Sequence, residues 1–388
     1  MRKACVISGS RAEYGLLKKL MDLLNQSDEF ELQIIAAAMH LSPDYGETYK
    51  EIEKDGFQIT HKAEMLLASD TETSTLKAMA LGIIEFSSAL ERLKPDFLII
   101  LGDRFEVLAA AQTAMILKIP VVHIHGGEST QGAIDEAIRH SITKMSQIHF
   151  TACESYRRRV IQLGENPNRV FNTGAPGIDN IFQLNLMGRD ALSKSLKMDL
   201  SSPFLLVTYH PVTLQAHGPQ QALQGLFKAL DQFKAHSVIF TMPNCDPSGR
   251  EITKAIEDFV RLNSSRMRLF SSLGQLRYLS ALKEAAAVVG NSSSGIIEAP
   301  ALKTPTVNIG TRQLGRICDK SVVNSSDNSE NIALSLTSVL SQDFQSNTKA
   351  SGSLFGNGKA SEKMFEILRN TDFTKILSKK FFDIQYEL

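Results

Sequence analysis

Residues 6 to 20 read VISGSRAEYGLLKKL, an apolar run that ends in Gly9-Ser10-Arg11 and passes without a break into helical spacing. A strand turning directly into a helix opens a βα unit and sets Arg11 beside the amino end of that helix. Neither familiar phosphate loop is present: the stretch contains no G-x-G-x-x-G and no G-x-x-x-x-G-K-[ST]. Anion binding at this turn therefore falls to the helix start and to Arg11. Free N–H groups and the helix dipole favour negative charge there, and a guanidinium adds bidentate contacts to phosphate oxygens. The competing use of the arginine is a salt bridge to a surface carboxylate.

Outward from this unit the alternation repeats. KACVIS leads into a helix bearing Leu16, Leu17, Leu20, Leu23 and Leu24, and ELQIIAAA follows. FQIT, DFLIILGD, PVVHIHGG and QIHFTA are further strand candidates, with helices expected over 74 to 93, 104 to 118 and 134 to 146. After FNTGAPGIDN comes a polar helical stretch, and at SSPFLLVTYHP the alternation restarts with FLLVTYH, SVIFTMP, RMRLF, AAVVG and TPTVNIG as strands. GPQQALQGLFKALDQF and REITKAIEDFVRL are helical connections between them. Successive βαβ units without hairpins predict an α/β protein of two Rossmann-like doubly wound domains, over 1–180 and 181–360. EKMFEILRN and KILSKKFFDI, within 361–388, have helical spacing and are expected to pack back on the first domain. A chain of 388 residues suffices for two such cores.

Charge excludes some partners. Lys plus Arg number 42 and Asp plus Glu 42, which gives no field to attract nucleic acid or an anionic membrane. Cys5, Cys153, Cys245 and Cys318 lie far apart with no C-x-x-C pair, as suits reduced thiols in a cytoplasmic protein and offers no zinc site. No run of about 18 apolar residues is present, so a soluble protein is expected.

Open parallel sheets bind ligands beyond the carboxyl ends of their strands. In GNSSSGIIEAP, residues 290 to 300, Ser292 and Ser293 could cap the coming helix or present hydroxyls and amides to a diphosphate, and Glu298 could accept from a ribose diol. LGDRFE sets Asp103 and Arg104 at another strand end. HIHGGESTQGAIDEAIRH delivers Glu128, then Asp135 and Glu136, to the next one. Carboxylates at neighbouring strand ends suit proton abstraction and return, although Asp135 and Glu136 would equally favour a helix amino terminus. His123 and His125 face one side of a strand, a weak basis for a metal site. In YHPVT, Pro211 keeps His210 out of helical conformation, where it could bind phosphate or move a proton. Gly358-Lys359 imitates the end of a phosphate loop but lacks the preceding glycine and is followed by Ala360, so that reading is rejected.

Taken in order, GSRAEYG, LGDR, HIHGGE with IDEAIRH, HPVT, GNSSSGIIE and NIGTRQLGR closely resemble the hydrolysing UDP-N-acetylglucosamine 2-epimerases of bacterial sialic acid synthesis. The resemblance runs through nearly the whole chain. It implies two Rossmann-like domains facing across a cleft, the glycosyltransferase-B architecture. It also implies release of UDP and N-acetylmannosamine from UDP-N-acetylglucosamine and water. By the same resemblance Arg11, Arg104, His210, Ser292, Ser293, Glu298 and Arg312 hold the nucleotide and diphosphate. Asp103, Asp135 and a glutamate of the HIHGGE loop are the catalytic carboxylates, with His210 at the departing diphosphate. Many relatives carry Glu at the third position of that loop, where this chain has His125, and the spacing to Asp135 is shifted by one residue. Glu128 is the substitute, with His125 left open. Gly15 replaces a serine found in some relatives.

The expected chemistry is elimination followed by hydration. Departure of UDP from C1 acidifies the C2 hydrogen, a base removes it to leave a glycal, and water adds to C1 while a proton reaches C2 from the opposite face. No cofactor is required because nothing is oxidised or reduced, and no metal site is expected. A homodimer or homotetramer is the expected assembly. Alternative readings are the same reaction on UDP-2,4-diacetamido-2,4,6-trideoxy-glucose for legionaminic acid synthesis, a glycosyltransferase of the same architecture, and a nucleotide-sugar sensor without activity.

Overall fold

The computed structural model describes residues 1–69, 71–131, 133–212, 219–243, 249–350 and 353–385. Cys245 and Thr213 of the YHPVT stretch lie outside the described residues. The chain divides into two compact units. The first comprises residues 1–128, 135–180 and 355–388, and the second 129–134 and 181–354. Both are discontinuous: the short stretch after Glu128 belongs with the second unit, and the return to the first begins at Phe355.

The first unit is built on strands β1 (Arg2–Ser8), β2 (Phe30–Ala37), β3 (His61–Ala63), β4 (Phe97–Leu101), β5 (Val121–Ile124), β6 (Ile148–Thr151) and β7 (Val170–Asn172). They form one parallel sheet in the order β3-β2-β1-β4-β5-β6-β7. β4 and β5 are buried at every position, as expected of strands covered on both faces. FQIT is not a strand. Phe57 is buried beside the core and Ile59 packs against it, while Thr60 donates its N–H to Ile34 O at 2.8 Å; pairing proper begins at His61, opposite Ile35. The expected helices fall at Glu72–Leu93, Phe105–Ile116 and Asp135–Met145.

The C-terminal stretch completes this unit. Met364 and Leu368 of the helix Ala360–Arg369 join the core formed by Leu17, Leu20 and Leu24 of the first helix, and Phe373 stacks on Phe97 at 4.0 Å. The buried carboxylate of Asp179 accepts from the N–H groups of Ala360 and Ser361 at 2.8 and 2.7 Å. The helix start after Gly358-Lys359 is thus already engaged by an anion, the physical counterpart of rejecting a phosphate loop there. KILSKKFFDI, expected to be helical, has no helix beyond the short turn Phe373–Lys375. Lys379 instead bonds both oxygens of Glu165 at 2.9 and 2.8 Å, and Phe382 donates its N–H to Gly164 O at 2.9 Å. Burial pushes the Glu165 carboxyl up, but bonds from His149, Lys144 and Lys379 outweigh it and hold the group at about 2.

The second unit repeats the plan with β8 (Phe204–Thr208), β9 (Ser237–Thr241), β10 (Met267–Phe270), β11 (Ala287–Gly290), β12 (Thr306–Ile309) and β13 (Val322–Ser325). All pairs are parallel and the order is β10-β9-β8-β11-β12-β13. Val207, Val289 and Val307 bury one face of this sheet, and Leu206, Ile239 and Val288 the other, which gives the unit two separate apolar layers. The helix Pro176–Gln183 starts within FNTGAPGIDN, the polar stretch after it contains the helix Arg189–Leu196, and the Ser- and Asn-rich region contains Ser329–Leu340 and Gln342–Ala350. No described helix is long and apolar enough to cross a membrane.

Candidate active site

In each sheet the strand order reverses once, between β1 and β4 and between β8 and β11, and doubly wound sheets take ligands at that point. Every site residue read from sequence lies on a loop or helix start beyond a strand's carboxyl end, or in the helix that follows.

After β1, Ser10 is extended at φ −149° and its Oγ accepts from Glu13 N–H at 3.4 Å, capping the helix Arg11–Asn25. Glu13 answers by accepting from Gly9 N–H at 2.8 Å. This S-R-A-E arrangement makes a reciprocal cap displaced by one residue from the usual box. His40, beyond β2, donates its N–H to Gly9 O at 3.3 Å, and its ring joins Ser8 Oγ at 2.9 Å to Thr48 Oγ1 at 2.8 Å. Burial lowers its pKa to about 4, so the ring stays neutral and serves as a brace. Arg11 is the first residue of the braced helix.

After β4, Asp103 and Arg104 diverge. Arg104 is buried, with Nε donating to Glu106 Oε1 at 2.7 Å and lying 3.8 Å from Glu13 Oε1. Burial, reinforced by the charge of Glu106, pushes the Glu13 carboxyl well up, toward its protonated form. Asp103 pairs with Arg139. That arginine, 1% exposed, also donates through Nη1 to Glu128 O at 3.0 Å and Glu136 Oε2 at 3.3 Å. One buried guanidinium therefore ties the loops after β4 and β5 to the helix that begins with Asp135. Arg139 was not singled out in the sequence; its signal is the position four residues after Asp135 in IDEAIRH, on the same helical face.

The loop after β5 is tightly wound. His125 adopts φ +68°, unusual for a residue with a side chain, and donates its N–H to Phe150 O at 2.9 Å. Gly127 has φ +80°, and a Cβ there would lie 2.3 Å from Tyr156 O. The fold-back brings the buried Glu128 carboxylate onto His125 Nδ1. His123, by contrast, bonds Gly102 O at 2.8 Å, and burial lowers its pKa to about 3; it is a structural residue. Among the described residues no group of three or more His, Cys, Asp or Glu could hold a metal ion.

In the second unit the ends of β8, β11 and β12 converge on Asn291, which is fully buried. Its Oδ1 accepts from His210 N–H at 2.7 Å and its Nδ2 donates to His210 O at 2.9 Å. Its own carbonyl accepts from Arg312 Nη1 at 3.2 Å and Gln313 Nε2 at 2.8 Å. Asn291 thus fixes two expected phosphate ligands, and sequence reasoning passed over it. Ser293 makes no capping bond to the helix Ser294–Ala301, and Ser292 Oγ accepts weakly from Ser294 N–H at 3.4 Å. Capping therefore does not account for Ser293. Glu298 lies within this helix, one turn in.

These arrangements can be compared with known proteins. The model of the UDP-N-acetylglucosamine 2-epimerase family matches residues 22–369. The chain belongs to this family. It is 43% identical over 99% of its length, and 99% of the relative, to the hydrolysing GDP/UDP-N,N'-diacetylbacillosamine 2-epimerase of Campylobacter jejuni. It is 34% identical to the UDP-N,N'-diacetylbacillosamine 2-epimerase of Legionella pneumophila, over 98% of the chain and 99% of the relative. The Neisseria meningitidis UDP-GlcNAc 2-epimerase bound to UDP-GlcNAc has the same fold, with a TM-score of 0.79 at 20% identity over 96% of this chain and all of that one. The two-domain, glycosyltransferase-B-like α/β architecture expected from sequence is thus the architecture of the epimerase family.

One backbone position in this epimerase is unusually demanding. Gly290 has φ +134°, and a Cβ there would lie 1.9 Å from Thr208 O. Gly290→Ala must push β8 and β11 apart just below His210 and Asn291. Urea denaturation should show a loss of about 2 kcal/mol or more, as for overpacked cores.

Proposed function

We propose that the protein is a hydrolysing 2-epimerase that converts UDP-2,4-diacetamido-2,4,6-trideoxy-glucose and water to UDP and the free 2-epimeric sugar. Asp103, and the pair His125 with Glu128, stand at the ends of neighbouring strands under a single buried arginine, and this juxtaposition carries the reading. The guanidinium of Arg139 fixes the direction of the Asp103 carboxylate at the end of β4, and Asp103 is assigned to the C2 hydrogen. Asp135, at a helix start, is assigned to the water that attacks C1. Glu128 or His125 supplies the remaining proton transfer. Asymmetric acid and base environments of this kind suit removal and return of a proton on opposite faces.

The second unit is assigned the nucleotide. His210, Ser292, Ser293 and Arg312 lie on the loops that meet at Asn291 just before the helix Ser294–Ala301, and the amino end of such a helix favours a departing diphosphate. Glu298 is assigned to the ribose. Arg11, the first residue of the helix after β1, is assigned to anion binding in the first unit. Arg104 is assigned differently from its sequence expectation: with Nε against Glu106 and near Glu13, it orders the loop after β4.

Substrate preference also departs from the first expectation. Full-length identities of 43% and 34% to diacetylbacillosamine 2-epimerases support the diacetamido sugar over UDP-N-acetylglucosamine. The test offers both sugars, each on UDP and the diacetamido sugar also on GDP, in heavy water, with NMR of the freed hexose. Fast release of the diacetamido 2-epimer, deuterated at C2, is expected. Preferential turnover of UDP-N-acetylglucosamine would reverse the substrate assignment, and product without deuterium at C2 would remove the elimination mechanism.

A further inference from the structure

We propose that His125 is the acid that returns a proton to C2 in the hydration step, and that Glu128 positions it. The inference rests on the 2-epimerase reading and decides between the two groups left open there.

The Nε2 atom of His125 is buried and has no hydrogen-bond partner among the described residues, although its other nitrogen is bonded to Glu128. A buried polar atom without a partner is costly, and native proteins retain few without a use. The backbone adds a second cost. His125 holds φ +68° where most residues with side chains avoid it, and this conformation is secured from two sides, by its N–H bond to Phe150 O at 2.9 Å and by the tight turn at Gly127. Both costs maintain one outcome: an imidazole fixed in orientation, with a single nitrogen left to meet a ligand.

Location identifies the ligand. β4 and β5 are adjacent, and Gly102 N–H donates to Ile124 O at 3.0 Å, so Asp103 and His125 each follow directly on a bonded pair of residues. They are held by different partners. Asp103 lies against Arg139, and His125 against a carboxylate. An ionised Glu128 only accepts, so it fixes a proton on Nδ1, and the proton the ring gives up or regains is the one on Nε2. Glu128 itself then has no need to touch the sugar; it works through the ring, as the carboxylate of a catalytic triad does.

The proton balance closes. In elimination, Asp103 takes the C2 proton, the C2–H electron pair becomes the C1–C2 double bond, and the C1–O pair leaves on UDP. In hydration, water attacks C1 and loses a proton to Asp135, while the double-bond pair takes the Nε2 proton onto C2 from the other face. His125 is then neutral, Asp103 and Asp135 are protonated, and one of those two protons recharges His125 while the other leaves with the solvent.

The scheme separates two half-reactions, and the test reads them separately. His125→Gln should still release UDP but should stall at the glycal, with the ratio of glycal to hexose rising by about 100-fold or more. His125→Asn, whose side chain tolerates positive φ, should behave alike. Supplied glycal and UDP in heavy water should give C2-deuterated hexose with the wild type and almost none with either variant. Glu128→Gln should raise the same ratio by less. Wild-type ratios in the His125 variants would overturn the proposal, as would equal loss of elimination and hydration in both. A wild-type enzyme that releases neither UDP nor a 2-epimer from any nucleotide sugar would instead refute the 2-epimerase reading itself.

Discussion

Asp103→Asn will reduce turnover about a thousandfold and leave UDP binding intact. The magnitude is that of losing a positioned proton acceptor, and the change is nearly isosteric, so the loop after β4 keeps its shape. What the amide loses is the ability to take a proton from carbon. It also weakens the pairing with Arg139, which is 1% exposed, but Arg139 retains Glu128 O and Glu136. The arginine is therefore not stranded, and gross unfolding is not expected. Calorimetric titration with UDP checks the second half of the claim, because the nucleotide is assigned to the other unit. Near-normal turnover in this variant would remove Asp103 from the chemistry.

Arg139→Leu should be the most damaging single change in the first unit. It removes a buried positive charge that touches Asp103, Glu128 O and Glu136, and so leaves two carboxylates and a carbonyl without their common donor. Breaking one partner of such a pair costs about 3 to 5 kcal/mol, and the loops that carry Asp103 and the His125–Glu128 pair lose their tie. Arg139→Lys separates the two consequences. A lysine supplies charge to Asp103 but cannot reach three acceptors with one ammonium. Its unfolding midpoint should recover most of the loss, while elimination of UDP should remain well below wild type. If the lysine variant is fully active, the fork geometry has no part in catalysis.

The sequence pattern alone was enough for the alternation and class, and it was enough to put the polar candidate residues at the carboxyl ends of strands. Continuous apolar runs such as FLIIL, bounded by turn residues, suit strands covered on both faces, and the polar residues just after them then lie at the sheet's carboxyl edge. The misreadings have a common cause. FQIT alternates correctly but its apolar residues serve the core beside the sheet, and pairing starts one residue later because that is where β2 offers partners. KILSKKFFDI has helical spacing, yet bonds to Glu165 and Gly164, distant in sequence, draw it out of a helix.

Sites divide in the same way. Residue type and place after a strand picked out Asp103, Glu128, His210 and the serines at 292 and 293, since those properties are local. Asn291 and Arg139 are ordinary in sequence, and their importance arises from meeting three partners each across loops far apart in the chain. His125 belongs to both groups: its residue type was visible beside Glu128, but its left-handed backbone and its single open nitrogen exist only once β5, β6 and the turn at Gly127 are packed together. Local pattern fixes what a segment can become, and long-range bonds select which atoms are left to act.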